Sequence, residues 1–158
     1  RRILLGAYTL SSKAMDNYFL QAQRVRRLVR RDFDRVFALP NPLVDPDQQV
    51  FDLSDLPEGT IMEDKWGPEE VDFLLCPTAP TLAPTLGEVM EGGSPVDEYV
   101  NDVFTVPASL AGLPAASVPM PVEGEGEGKT AGLQLIGQYW DDARLLAVAE
   151  VIREILRG

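Results

Sequence analysis

Three places in the sequence hold residue types that could do chemistry: the serine pair Ser11-Ser12, the lone Cys76, and Asp102. The chain has no histidine, so neither serine nor cysteine can draw on an imidazole base, and Ser-His-Asp, Cys-His and His-ligated metal chemistry are excluded within it. No glycine-rich turn surrounds Ser11-Ser12, and helix capping is the ordinary reading of the pair. Cys76 sits in an apolar run with no basic residue beside it, the setting of a buried strand thiol rather than a nucleophile. A single cysteine also rules out an internal disulfide. EGEGEGKT (123–130) ends like a phosphate loop, but Glu123 stands where the motif needs glycine, and three glutamates would repel a phosphate. Asp102 is different. It is the single charge in NDVFTVPASLAGLPAASVPM (101–120), at the mouth of an apolar stretch. A carboxylate there either caps a helix or meets a cationic group, and the residues alone leave both readings open.

The elements that must position these groups follow from patterning. Apolar residues at 18, 22, 25, 29, 33 and 36 predict a helix over Asp16–Phe37, with Ser12 as its cap. Its other face carries Arg24, Arg26, Arg27, Arg30, Arg31 and Arg35. Residues 1–35 hold 9 basic and 3 acidic side chains, against 5 and 22 in the remainder, in a chain of net charge −11. That overall charge argues against a nucleic-acid phosphate binder. The arginine face reads as solvated and paired with the protein's own acidic surface, with a nucleic-acid-facing helix as the second possibility. Residues 38–72 hold five prolines and ten acidic residues against one lysine, and read as a loop or insertion.

After that, VDFLLCPTAPT predicts a buried strand running into a proline-stopped turn, and residues 94–100 a short helical turn. Thr105 is expected to cap a short helix with Pro107 in its first turn, ended by Gly112 and Pro114. AASVPM and GLQLIG predict strands joined by an acidic loop, 122–130. Asp141 then caps a last helix whose positions 145, 148, 149, 152, 155 and 156 form its core face. Helices alternating with short strands indicate an α/β protein. The uncharged run 103–122 holds four prolines, which argues against a membrane span. The chain opens without a signal peptide or a methionine, inside a patterned element, and reads as a piece of a longer protein.

Five blocks then form a recognisable series: RRILLGAYTLSS, QAQRVRRLVRRDFDRVF, DFLLCPTAPT, NDVFTVPASLAGLPAASVPM and GLQLIGQYWDDARLLAVA. In order and spacing they resemble the last third or so of the amidase signature family, in the branch that serves a tRNA-dependent amidotransferase. The resemblance implies an α/β fold built on a mixed β-sheet flanked by helices, with residues 1–158 as the C-terminal part of a single amidase domain interrupted at about 39–69. It implies glutamine as the amide, hydrolysed without histidine by a lysine and two serines that lie upstream of the matching blocks, so no residue of this chain is a catalytic candidate and the piece alone is expected to be inactive. Arg2 matches the position that clasps the glutamine carboxylate, and Asp102 suits its ammonium.

The same resemblance implies partner subunits in a complex and tRNA bound through that complex. It implies no cofactor on this chain, with ATP and Mg2+ used in a partner subunit, and no membrane contact. The acidic insertion is similar to that of organellar, fungal-type members, which implies the mitochondrial matrix, with the cytoplasm as the alternative. Two other readings stay open: a fragment of another amidase-signature hydrolase, or a truncated chain with a packing or interaction role.

Overall fold

The computed structural model describes residues 2–9, 11, 18–43, 71–91, 100–122 and 129–157. The chain forms helix α1 (Arg2–Thr9), helix α2 (Leu20–Asp34), strand β1 (Leu74–Pro77) and helix α3 (Leu86–Glu91). Helix α4 (Val106–Ala111), strands β2 (Ala115–Pro121) and β3 (Thr130–Ile136), and helix α5 (Asp142–Arg157) follow. The strands make one antiparallel sheet in the order β1-β3-β2. All three are antiparallel, and among the described residues a parallel pairing appears only as the isolated bridge between Phe37 and Val71.

Register decides what each face of the sheet meets, because opposed residues point the same way. Leu74 lies opposite Ile136 and Cys76 opposite Gln134, with Ala115 and Ser117 against the same two residues from the other side. This face carries the core of Phe37, Ala108, Ala111, Leu113 and Ile136, against which Phe33, Leu74, Cys76 and Tyr139 pack. The opposite face holds Leu135, which is fully buried, and Val118, and is covered by α5 through Leu145. A helix on one face and a pair of helices on the other give the α/β layering expected from the sequence.

Several local expectations change on contact with tertiary structure. The strand at 74–77 is not buried: its residues alternate half-buried and exposed, and Leu75 is 55% exposed. β1 is an edge of this sheet, and α5 lies over β2 rather than over β1. Cys76 is accordingly half-buried. On α5, Leu145 is buried and 148, 149, 152 and 156 are half-buried, but Ile155, at the margin of this stripe near the end of the helix, is 72% exposed. Asp141 stands at the helix start, its carbonyl accepting from Leu145 N at 3.0 Å, while its Oδ2 lies 3.5 Å from Arg144 Nε.

The arginine-rich helix differs in a more informative way. Its first two turns are exposed, including Val25, while Arg26 and Arg30 turn toward α4 and Tyr139. Ser12, Asp16 and Asn17 lie outside the described residues, as do 44–70, most of 94–100 and the loop 123–128. Residues 39–43, placed at the start of the predicted insertion, belong to the packed body. Asn41 is buried, its Nδ2 donating to both carboxylate oxygens of Asp34 at 2.9 and 3.0 Å and its Oδ1 accepting from Leu43 N at 2.9 Å. Buried Gln138 donates to the Leu39 carbonyl at 2.9 Å. From there the backbone bonds Ala38 N to Val71 O and Val71 N to Val36 O, each 2.9 Å, close the two ends of the intervening segment.

Candidate functional site

Asp102 sits half-buried on the turn that leads into α4. Its carbonyl is saturated: it accepts from Thr105 N at 3.1 Å, from Val106 N at 2.9 Å and from Thr105 Oγ1 at 3.2 Å. The Thr105 hydroxyl therefore reaches backward and makes no forward cap to α4, contrary to the expectation from sequence. The residues before it already form a helical turn whose carbonyls take the first N–H groups of the helix, so a side-chain cap has nothing left to do. Pro107 in the first turn and Gly112 in the left-handed conformation (φ 83°) end the helix as expected.

Below this turn, the inner face of the sheet changes from apolar to polar along β3. Ile136 belongs to the core, Gln134 is buried, and Gly132 lies beneath a hydrogen bond between Thr78 Oγ1 and Ser117 Oγ, 2.6 Å long. A Cβ on Gly132 would come within 2.6 Å of Thr78 Oγ1 and 2.9 Å of Ser117 Oγ, so only glycine leaves room for the two hydroxyls to meet across the middle strand. Gln134 Nε2 donates to the Phe104 carbonyl at 2.9 Å and toward Cys76 Sγ at 3.4 Å. The Asp102 turn is thus tied to the polar end of the sheet face.

The far end of α4 is held as firmly. Arg26 Nε donates to Leu110 O at 2.7 Å, and the Tyr139 hydroxyl donates to Ala111 O. The Arg30 guanidinium lies 5.4 Å from the centre of the Tyr139 ring. Burial pushes the Tyr139 phenol above its usual range, against the opposite pull of Arg30. On the outer side of the sheet Arg144 bonds to Asp72 at 2.7 Å, which raises the arginine further.

Arg2 is the first residue of α1, and its side chain lies outside the described residues. The structure therefore places Asp102 on a fixed turn and leaves its pairing with Arg2 at the level of sequence. Among the described residues no group of three or more His, Cys, Asp or Glu could hold a metal ion, and no helix is long and apolar enough to cross a membrane.

Reading the sequence for chemistry passed over Gln134, Thr78 and Ser117. One signal was available, since Gln134 interrupts the apolar run GLQLIG, and a polar side chain in a middle strand needs a partner. Its identity, 30 residues away in sequence, was not legible.

A model of the amidase family matches residues 1–146, and the chain belongs to that family. Within the family it is similar to the A subunit of glutamyl-tRNA(Gln) amidotransferase. It is 72% identical over 99% of its length to the mitochondrial A subunit of Neurospora crassa, and 74% identical over 99% to that of Podospora anserina. The chain spans 29% and 30% of the length of those two proteins. The crystal structure of the A subunit from Thermotoga maritima matches with a TM-score of 0.58 at 30% identity, covering 94% of this chain and 25% of that one.

Proposed function

We propose that this chain is the C-terminal part of the glutamine-hydrolysing subunit of a tRNA-dependent amidotransferase in the mitochondrial matrix, converting Glu-tRNA(Gln) to Gln-tRNA(Gln). The carrying observation is the likeness, across 99% of the chain, to mitochondrial A subunits of glutamyl-tRNA(Gln) amidotransferase. The role of the piece is to shape the pocket for free glutamine, through Asp102 toward the ammonium and Arg2 toward the carboxylate. Asp102 is half-buried on a turn whose backbone carbonyl accepts from Thr105 N and Val106 N, which fixes where its carboxylate branches from the chain. The lysine and two serines that attack the amide belong to the rest of the subunit, so the 158-residue chain alone releases no ammonia from glutamine. In the complex, ammonia passes to a partner subunit, where ATP and Mg2+ activate the glutamate on tRNA; this chain itself binds neither.

The test uses the full-length protein in complex with its partners. Arg2→Ala or Asp102→Ala leaves one charge of glutamine unpaired, at about 2–5 kcal/mol, or tens to thousands fold in glutamine-dependent kcat/KM. Arg2→Lys is also costly, since an ammonium cannot make two parallel hydrogen bonds. Ammonium chloride bypasses the pocket, so amidation driven by it stays near the wild-type rate in all three. Parallel collapse of both activities would make the residues structural. If neither falls, glutamine is held elsewhere and a general amidase becomes the better reading.

A further inference from the structure

We propose that Gln134 is a positioning residue for Asp102: its buried amide fixes the Asp102 turn against the sheet and so sets the affinity for glutamine. The inference rests on the reading of Asp102 as the partner of the glutamine ammonium. Four hydrogen bonds shape the turn from within: Val103 N to Val100 O, Thr105 N and Val106 N to Asp102 O, and Thr105 Oγ1 to Asp102 O. All are local, and local bonds fix the shape of a turn without fixing its place relative to β3. The bond from Gln134 Nε2 to the Phe104 carbonyl, spanning 30 residues, does fix that place, two residues from Asp102.

The orientation of the amide is forced. A carbonyl only accepts, so the nitrogen must face Phe104 O, and its second hydrogen points toward Cys76 Sγ. Gln134 is 4% exposed and stands on the middle strand, in register with Cys76 on β1 and Ser117 on β2. Its backbone therefore cannot drift, and the amide transmits the position of the sheet to the turn. Losing the donor frees the turn to shift and leaves a carbonyl without its partner. A displacement of about 1 Å at a charge that must meet an ammonium weakens binding while leaving the attacking groups where they were.

The experiment uses the full-length protein in its complex, with Gln134→Met, which keeps the length and removes the donor, and Gln134→Asn, which draws the amide back by one methylene. Glutamine KM is expected to rise about 5- to 30-fold in Gln134→Met and less in Gln134→Asn, with kcat within about threefold. Combined with Asp102→Asn, Gln134→Met should add less than about twofold, because both changes act on one contact. A glutamine KM within twofold of wild type in both Gln134 variants overturns the proposal, as does full additivity with Asp102→Asn. Failure of both variants to assemble also overturns it, since Gln134 would then be a determinant of folding. If Asp102→Asn itself leaves KM unchanged, the reading of the pocket fails instead; if it raises KM while Gln134→Met does not, the positioning role alone fails.

Discussion

Gly132→Ala is the sharpest test of the sheet geometry, because one methyl is asked to occupy space already filled. The new Cβ would lie 2.6 Å from Thr78 Oγ1, 2.7 Å from Thr78 Cβ and 2.9 Å from Ser117 Oγ. Rotating the two hydroxyls away would relieve two of these contacts but not the third, since Thr78 Cβ is fixed by the backbone bond from Thr78 N to Gly132 O at 2.8 Å. The strands must therefore separate locally, at about 1–3 kcal/mol for overpacking. The lost hydroxyl bridge adds about 1 kcal/mol, and the lower chain entropy of alanine in a strand returns about 0.5–1 kcal/mol. The net expectation is a loss of about 1–3 kcal/mol. Urea unfolding of the full-length protein measures it, with Thr78→Val as the control that breaks the bridge without adding volume. Thr78→Val should lose about 1 kcal/mol, and Gly132→Ala more than that. A Gly132→Ala protein as stable as wild type, or more stable, would refute the crowding argument, because alanine is otherwise the better strand residue.

Two further predictions concern the edges of the described body. Under the proposed function, replacing residues 46–67 by a short turn in the full-length protein should leave glutamine hydrolysis within a few fold, since the Val36–Ala38 to Val71 bonds hold the ends together and loop length is cheap to change. A deletion that starts at 41 should lose about 1–3 kcal/mol more, as the Asp34 carboxylate gives up its bonds to Asn41; equal stability of the two would show that Asn41 is no anchor. For Tyr139 the folded pKa is raised above the usual 10.0, so its contribution to stability is complete below that pH and is lost as pH climbs through the folded value. The stability difference between wild type and Tyr139→Phe should thus shrink in alkali; a constant difference would contradict the burial argument.

What sequence could and could not reveal divides along the range of the interaction. Gly112 and Pro107 bound α4 where they were expected because a left-handed residue and a fixed φ act within their own turn. Strands β2 and β3 were legible from apolar runs set between turn residues, and α5 from its periodicity. Helix α3 was missed, although Thr85 and Glu88 form a reciprocal cap: Thr85 N donates to Glu88 Oε2 at 2.7 Å and Glu88 N to Thr85 Oγ1 at 3.3 Å. That T-x-x-E spacing was readable. The exposure of β1 depends on which strand α5 covers, which no local pattern encodes. Asn41, Gln134 and Gln138 each settle a buried polar group by reaching a distant or turn-bound carbonyl or carboxylate, and their partners become visible only once the elements are assembled.

The arginine face of α2 shows how a charge pattern acquires its meaning from what it meets. Read alone, six arginines on one helix suggest solvent, an acidic surface or a polyanion. In the fold, Arg26 meets the negative end of another helix: the Leu110 and Ala111 carbonyls have no acceptor role left within α4, and Arg26 and Tyr139 supply their donors while Gly112 and Leu113 N bond back to Ala108 O at 2.9 and 3.0 Å. Arg30, over the Tyr139 ring and 3.9 Å from Asp34, supports the same contact. Helix α4 is then clamped at both ends, by Gln134 through the turn that precedes it and by Arg26 and Tyr139 at its last carbonyls. A six-residue helix cannot hold itself in place by its own hydrogen bonds. The clamps from α2, from β3 and from the segment before α5 do so instead, and Asp102, one turn ahead of that helix, inherits their rigidity.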